Sequence, residues 1–417
     1  MDIKKISLSQ KGTTDLDIWL VEDHRLPIIN IEFAFIGGAS LDGDQHGLAY
    51  LMAALLDEGA GDLDDQEFHK ALDETATHLY FSATRDIING SIKMLTKHKE
   101  RAADLLNMAM FAPTFAEEAC ERVKAQVVAS IRSASTSPTD IAAKKLMKLA
   151  FGNHVYGNLV KGSEQTIATI TQADLQATTK QNFNAAHPYL VIVGDVTEAE
   201  AEQLVMRIFA GRKVGKDNVA TIAEAGFAGI GKTETHYVDV PQAVVNFALP
   251  SIAQDDPDFM TVLVLNHILG GGGFSSRLME EIREKRGLTY GIHTSLMPLK
   301  HGSLITGSAA TSADKMAETV KILRQEIAKM HESGVTDEEL ENAKTYLTGA
   351  YPLRFDTGSK IAHQLLSMQY FNFGIDFIDQ RNSLVNKVTK QGVARMAAGL
   401  LDVENMAQVI VGPNETD

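Results

Sequence analysis

Apolar runs recur along this chain at a nearly constant offset, and each is followed by a stretch with helical spacing. Residues 27–35, PIINIEFAF, read as a largely buried strand, and residues 46–58 after them as a helix. Residues 241–249, PQAVVNFAL, read as the strand again, and residues 257–269 as the helix. The leading prolines, Pro27 and Pro241, stand 214 residues apart. Thr114-Phe115-Ala116-Glu117 fits a capping box, in which a hydroxyl and a carboxylate satisfy free N–H groups at a helix start. Thr336-Asp337-Glu338-Glu339 fits it again 222 residues later, and each box precedes a long amphipathic pattern. Both halves close on an apolar strand ending in Val-Gly, at Val193-Gly194 and Val411-Gly412.

Four landmarks at one offset predict an internal duplication. The fold expected is α+β: two similar domains, residues 1–215 and 236–417, each a mainly antiparallel sheet covered by helices. Residues 216–235, rich in Gly, Ala, Lys and Thr, read as the linker.

Composition changes this picture little but excludes several functions. A chain of 417 residues with 44% hydrophobic and 22% charged residues is ordinary globular material, long enough for more than one core. Its net charge of −15 excludes a nucleic-acid partner, since phosphate binding needs a basic surface. No run of about 18 apolar residues predicts membrane insertion. The single cysteine, Cys120, excludes an internal disulfide. The start, MDIKK, lacks an apolar signal core, which leaves a cytoplasmic protein or a mature exported one.

Two glycine motifs are decoys. Residues 226–233, GFAGIGKT, match the phosphate-loop pattern, but strand-like THYVDVP follows where that motif needs a helix N-terminus. The run 270–273 follows a helix instead of a strand, so it is no dinucleotide fingerprint, although it lets backbone approach a ligand.

The remaining motifs carry chemistry. Gly37-Gly38-Ala39-Ser40 precedes the stretch Gly47-Leu48-Ala49-Tyr50-Leu51-Met52-Ala53-Ala54, and residues 270–290 read GGGGFSSRLMEEIREKRGLTY. Both segments resemble the M16 (pitrilysin/insulinase-type) peptidases, whose first domain carries the inverted zinc motif H-x-x-E-H. The resemblance implies the M16/LuxS-like metallohydrolase fold. It places Tyr50 at the first histidine, Ala53 at the glutamate base and Ala54 at the second histidine. The third ligand would fall at Ala129 or Ser130, and the thirteen histidines, His46 included, form no replacement set. No metal or other cofactor is therefore expected in this chain.

The second segment keeps the family pattern almost throughout. By resemblance, Tyr290 bonds the scissile carbonyl oxygen as charge develops and Arg283 holds substrate backbone. Gly271, Gly272, Gly273 and Phe274 are the accompanying substrate-binding positions. Ser275 or Ser276 is expected to cap the helix, Glu281 to pair with Lys285, and Gly287 to take a left-handed conformation. Arg277 and Arg286 read as surface or interface charges.

Some M16 enzymes divide these roles between two chains. The chain resembles the zinc-less subunit of such a bacterial heterodimer, with Arg283 and Tyr290 acting in trans beside a zinc-bearing H-x-x-E-H homologue on an unfolded peptide. It is not expected to hydrolyse peptides alone. The alternative is an inert, core-protein-like scaffold or peptide-binding homologue. The resemblance to bacterial zinc-less subunits favours the periplasm.

Overall fold

The computed structural model describes residues 1–8, 16–185, 188–212 and 221–414, so residues 216–220 of the expected linker lie outside it. The chain forms two compact units, each with one mixed sheet. The first unit holds β1 (Lys4–Leu8), β2 (Leu16–Glu22), β3 (Ile28–Ile36), β4 (His78–Ala83), β5 (Ile87–Leu95) and β6 (Tyr189–Gly194). They lie in the order β1-β2-β6-β3-β5-β4. The second holds β7 (Thr233–Tyr237), β8 (Gln242–Pro250), β9 (Gly291–Met297), β10 (Leu304–Ser312) and β11 (Ala407–Gly412), in the order β7-β11-β8-β10-β9. β2 with β6 and β7 with β11 run parallel, while the other neighbours are antiparallel.

The sequence repeat is thus a repeat of topology, and one packing device shows why. In β3, Ile29, Ile31, Phe33 and Phe35 are fully buried, as suits branched and aromatic residues on a pleated surface. Phe33 pairs with Gly90 across to β5, and a Cβ at 90 would stand 2.0 Å from the Phe33 ring. Phe247 pairs with Gly307 in the second sheet, where a Cβ would stand 2.1 Å from that ring. Only glycine leaves room for the aromatic opposite.

Two helices belong to the unit of the other half of the sequence. Pro138–Phe151 precedes the linker yet belongs to the second unit, where Ala142, Leu146 and Ala150 bury against Val244 of β8 and Val409 of β11. Gly358–Tyr370 follows the linker yet belongs to the first, where it packs on β3 and β6 and Ser359 Oγ donates to Asn30 Oδ1 at 2.7 Å. Residues 233–235, expected in the linker, are part of β7. No helix among the described residues is long and apolar enough to cross a membrane.

The caps divide. Thr336 and Glu339 form the predicted capping box. Thr114 does not, because its hydroxyl donates to the Gly59 carbonyl and Phe115 turns left-handed, so the helix starts only at Glu117. The helix expected over 46–58 is confined to Leu48–Ala53, and the one over 257–269 runs Phe259–Asn266 before widening into a π-turn, His267–Gly271.

Candidate functional site

The Arg/Tyr segment of the second unit is built on a second π-turn, Met279–Glu284, whose Met279 and Ile282 are buried in the core. Neither Ser275 nor Ser276 caps it. Their hydroxyls turn back to the carbonyls of Gly272 (2.9 Å) and Gly273 (2.7 Å) and fasten the glycine loop instead. Past the turn the backbone is pinned at every step. Gly287, at φ +59° as expected, donates to the Arg283 carbonyl, and its own carbonyl accepts from Lys315 Nζ at 3.1 Å. The Leu288 carbonyl accepts from the Thr311 hydroxyl, and Thr289 Oγ1 bonds the Ala310 carbonyl at 2.5 Å.

Tyr290 comes next, immediately before edge strand β9, and its side chain is 88% exposed. Its backbone is constrained while its phenol is left largely uncovered. Arg283 is half-buried: its guanidinium lies 4.5 Å from the Phe274 ring centroid and donates to Glu284 Oε1 at 2.8 Å. Phe274 is itself 68% exposed. Arg283 and Tyr290 line one cavity of about 610 Å³ with Gln242, Thr289, Ser312 and Lys315.

The flanking residues sort by what they touch. Glu281 takes Lys285 and Arg286, both at 2.6 Å, and these cations hold its carboxyl below the usual range. Arg277 donates to the capping-box carboxylate of Glu339 and to the Gly334 carbonyl, which gives it a structural task. The glycine run also has a packing account. A Cβ would stand 2.7 Å from Asn266 Nδ2 at Gly271 and 2.8 Å from the His267 carbonyl at Gly272, whereas Gly273 faces open space.

In the first unit, the helix Leu48–Ala53 carries Tyr50 and Ala53, with Ala54 at its C-terminus. The sequence had missed Asp42, whose buried carboxylate accepts from the N–H groups of Gly47 and Ala49 at 2.9 Å each, fixing the helix start. Burial outweighs these bonds and pushes Asp42 up to about 6. Of the two candidate third-ligand positions, Ser130 is the one that turns inward, and Ala129 is exposed.

A lysine links two of the positions that the resemblance assigns to zinc ligands. Lys161 Nζ donates to Ser130 Oγ at 3.0 Å and lies 5.5 Å from the centroid of the Tyr50 ring. Its loop is clamped to the helix start. Thr166 Oγ1 donates to the His46 carbonyl at 2.6 Å, and Gly162, at φ +71°, lies so close that a Cβ would stand 2.1 Å from the same oxygen. Tyrosine, two alanines and serine offer no imidazole, thiolate or carboxylate, so these residues do not fit zinc. Among the described residues no three His, Cys, Asp or Glu converge anywhere. No spacing in the sequence signals Lys161.

Comparisons with known proteins identify the family. Residues 29–163 match the family model for insulinase (peptidase family M16), and residues 169–347 match that for the peptidase M16 inactive domain. A Helicobacter pylori protein described as a non-peptidase homolog, YmxG, is 28% identical over 374 residues, covering 89% of this chain and 85% of its own. A Bacillus subtilis protein described as an uncharacterized zinc protease, also YmxG, is 23% identical over 380 residues, 88% of this chain and 89% of that one. The crystal structure of a peptidase M16 inactive domain from Pseudomonas fluorescens superposes with a TM-score of 0.92 at 27% identity, covering 99% of both chains.

Proposed function

Because the chain belongs to the M16 family of insulinase-type peptidases, we propose that it is the metal-free subunit of a two-chain peptidase, lending Arg283 and Tyr290 to a zinc-bearing homologue. One observation carries the reading. The metal half of the family site is replaced by Tyr50, Ala53, Ala54, Ser130 and the Lys161 ammonium, whereas the other half keeps an exposed phenol and a guanidinium on a pinned backbone. A subunit with no part in catalysis has no physical need to hold Tyr290 in that manner.

The partner's H-x-x-E-H helix would supply zinc and its activated water. This chain's own share is electrostatic. The Tyr290 hydroxyl donates to the scissile carbonyl oxygen as negative charge grows there, and one such donor contributes about 3 kcal/mol to the transition state. Arg283, its plane supported by Phe274, holds a substrate carbonyl. The substrate is a short or unfolded peptide, and the free edge of β9 beside Tyr290 offers main-chain hydrogen bonds that tolerate varied side chains.

The second reading is a peptide-binding scaffold without catalysis, which the loss of the metal half favours. Tyr290→Phe separates the two: it slows cleavage by a mixture with the homologue in the first case and leaves cleavage unchanged in the second.

A further inference from the structure

The first unit contains a second cavity that the Arg/Tyr site does not use. It measures about 470 Å³, within the usual range of small-ligand sites, roughly 300–1,000 Å³. Its floor is Glu32, in the middle of β3 between Ser91 of β5 and Val191 of β6. Ile31 and Phe33 point into the core, so Glu32 points to the opposite face. The first turns of Gly358–Tyr370 form a wall with Lys360, His363 and Gln364, and Leu353 and Arg354 complete it.

The unusual feature is that these groups leave one another alone. The Glu32 side chain has no hydrogen bond or ion pair to any described residue, and neither have the side chains of Arg354, His363 and Gln364. Lys360 is tied to Asp356 at 2.8 Å and Ser359 to Asn30. A partly buried carboxylate is ordinarily paired, and burial without a partner raises Glu32 to about 7. The acid Glu32 on the floor and the bases Arg354 and His363 on the rim, none of them paired and all in one cavity, select by charge. A purely anionic ligand meets Glu32, and a purely cationic one meets Arg354, Lys360 and His363. A molecule carrying both charges a few bonds apart satisfies both, and the exposed Leu353 gives its side chain an apolar contact.

We propose that this cavity binds a small zwitterion, a free α-amino acid or a dipeptide, with the ammonium on Glu32 and the carboxylate on Arg354. The cavity lies in the first unit and the Arg283/Tyr290 site in the second.

The test is calorimetric titration of the full chain with leucine and with alanyl-leucine, beside isoamylamine and 4-methylpentanoate, which each carry one of the two charges. At least one zwitterion binds, and the single-charge analogues bind about ten- to a hundredfold more weakly, the cost of losing one charge-assisted contact. Glu32→Gln and the exposed-site variant Arg354→Gln each weaken the zwitterion by a similar factor. Preference for leucine identifies free amino acids as the ligand, and preference for alanyl-leucine identifies peptide products. No heat from either zwitterion at about 10 mM, or an affinity unchanged in both variants, overturns the proposal; so does an amine that binds as well as leucine.

Discussion

If Lys161 stands where the family holds its metal, restoring the ligands alone will not restore tight zinc binding. The perturbation is a graft, Tyr50→His, Ala53→Glu, Ala54→His and Ser130→Glu, made once with Lys161 present and once with Lys161→Ala. Lys161 Nζ sits 3.0 Å from Ser130 Oγ, so a metal bound between positions 50 and 130 shares its space with an ammonium. A divalent ion and a monovalent cation about 5 Å apart repel by roughly 2 kcal/mol at the dielectric of water and by roughly 7 kcal/mol at an effective constant of 20. Lys161 is exposed, which favours the lower figure. About 2 to 2.8 kcal/mol corresponds to about 30- to 100-fold in affinity. Competition against a chromophoric chelator measures it. The graft with Lys161→Ala takes up one zinc per chain and holds it about 30- to 100-fold more tightly than the graft with Lys161. Equal affinities would show that the ammonium does not compete for the metal's place, and no zinc in either would show that the four grafted ligands do not form a site.

The other predictions concern stability. Glu32 is raised from an ordinary 4.5 to about 7, so the folded state binds the proton more tightly and loses stability as pH rises through that window. The groups on its face are Arg354, Lys360 and His363 from the helix side, Lys93 of β5, and His78 and Tyr80 of β4. Glu32→Gln removes the loss: at pH 8 the variant is more stable by about 1–2 kcal/mol after discounting for partial exposure, and near pH 4 the two unfold together. A difference that grows toward low pH in thermal scans would reverse the assignment. Gly90→Ala drives a methyl into the Phe33 ring and costs about 1–3 kcal/mol, part of which Phe33→Leu restores. Additive losses in the double variant would refute that contact.

The repeat was legible because it is written in strands whose partners lie within one half, down to the Phe33–Gly90 and Phe247–Gly307 pairs. The traded helices were not. An amphipathic pattern such as 138–151 states that one face is buried and not which sheet buries it. The failed cap at Thr114 has a similar cause: a hydroxyl read as serving its own helix found a closer acceptor at Gly59, distant in sequence. The Arg/Tyr segment was legible as a motif, and the pinning by Lys315 and Thr311 that gives it rigidity was not, since both come from around the end of β10. Lys161 illustrates the limit most clearly. Its role depends on a tertiary clamp by Thr166 and Gly162, and a lone lysine in a loop carries no mark of it.

The account rests on Tyr290 acting at a bond cut by another chain. The direct measurement is turnover of an unstructured fluorogenic peptide by the H-x-x-E-H homologue alone, with this chain added, and with its Tyr290→Phe variant added at matched assembly by sedimentation. The account predicts strong stimulation by the unaltered chain and a turnover lower by about 10- to 1000-fold with the variant. Equal turnover with both chains, or a homologue equally active without either, would contradict it.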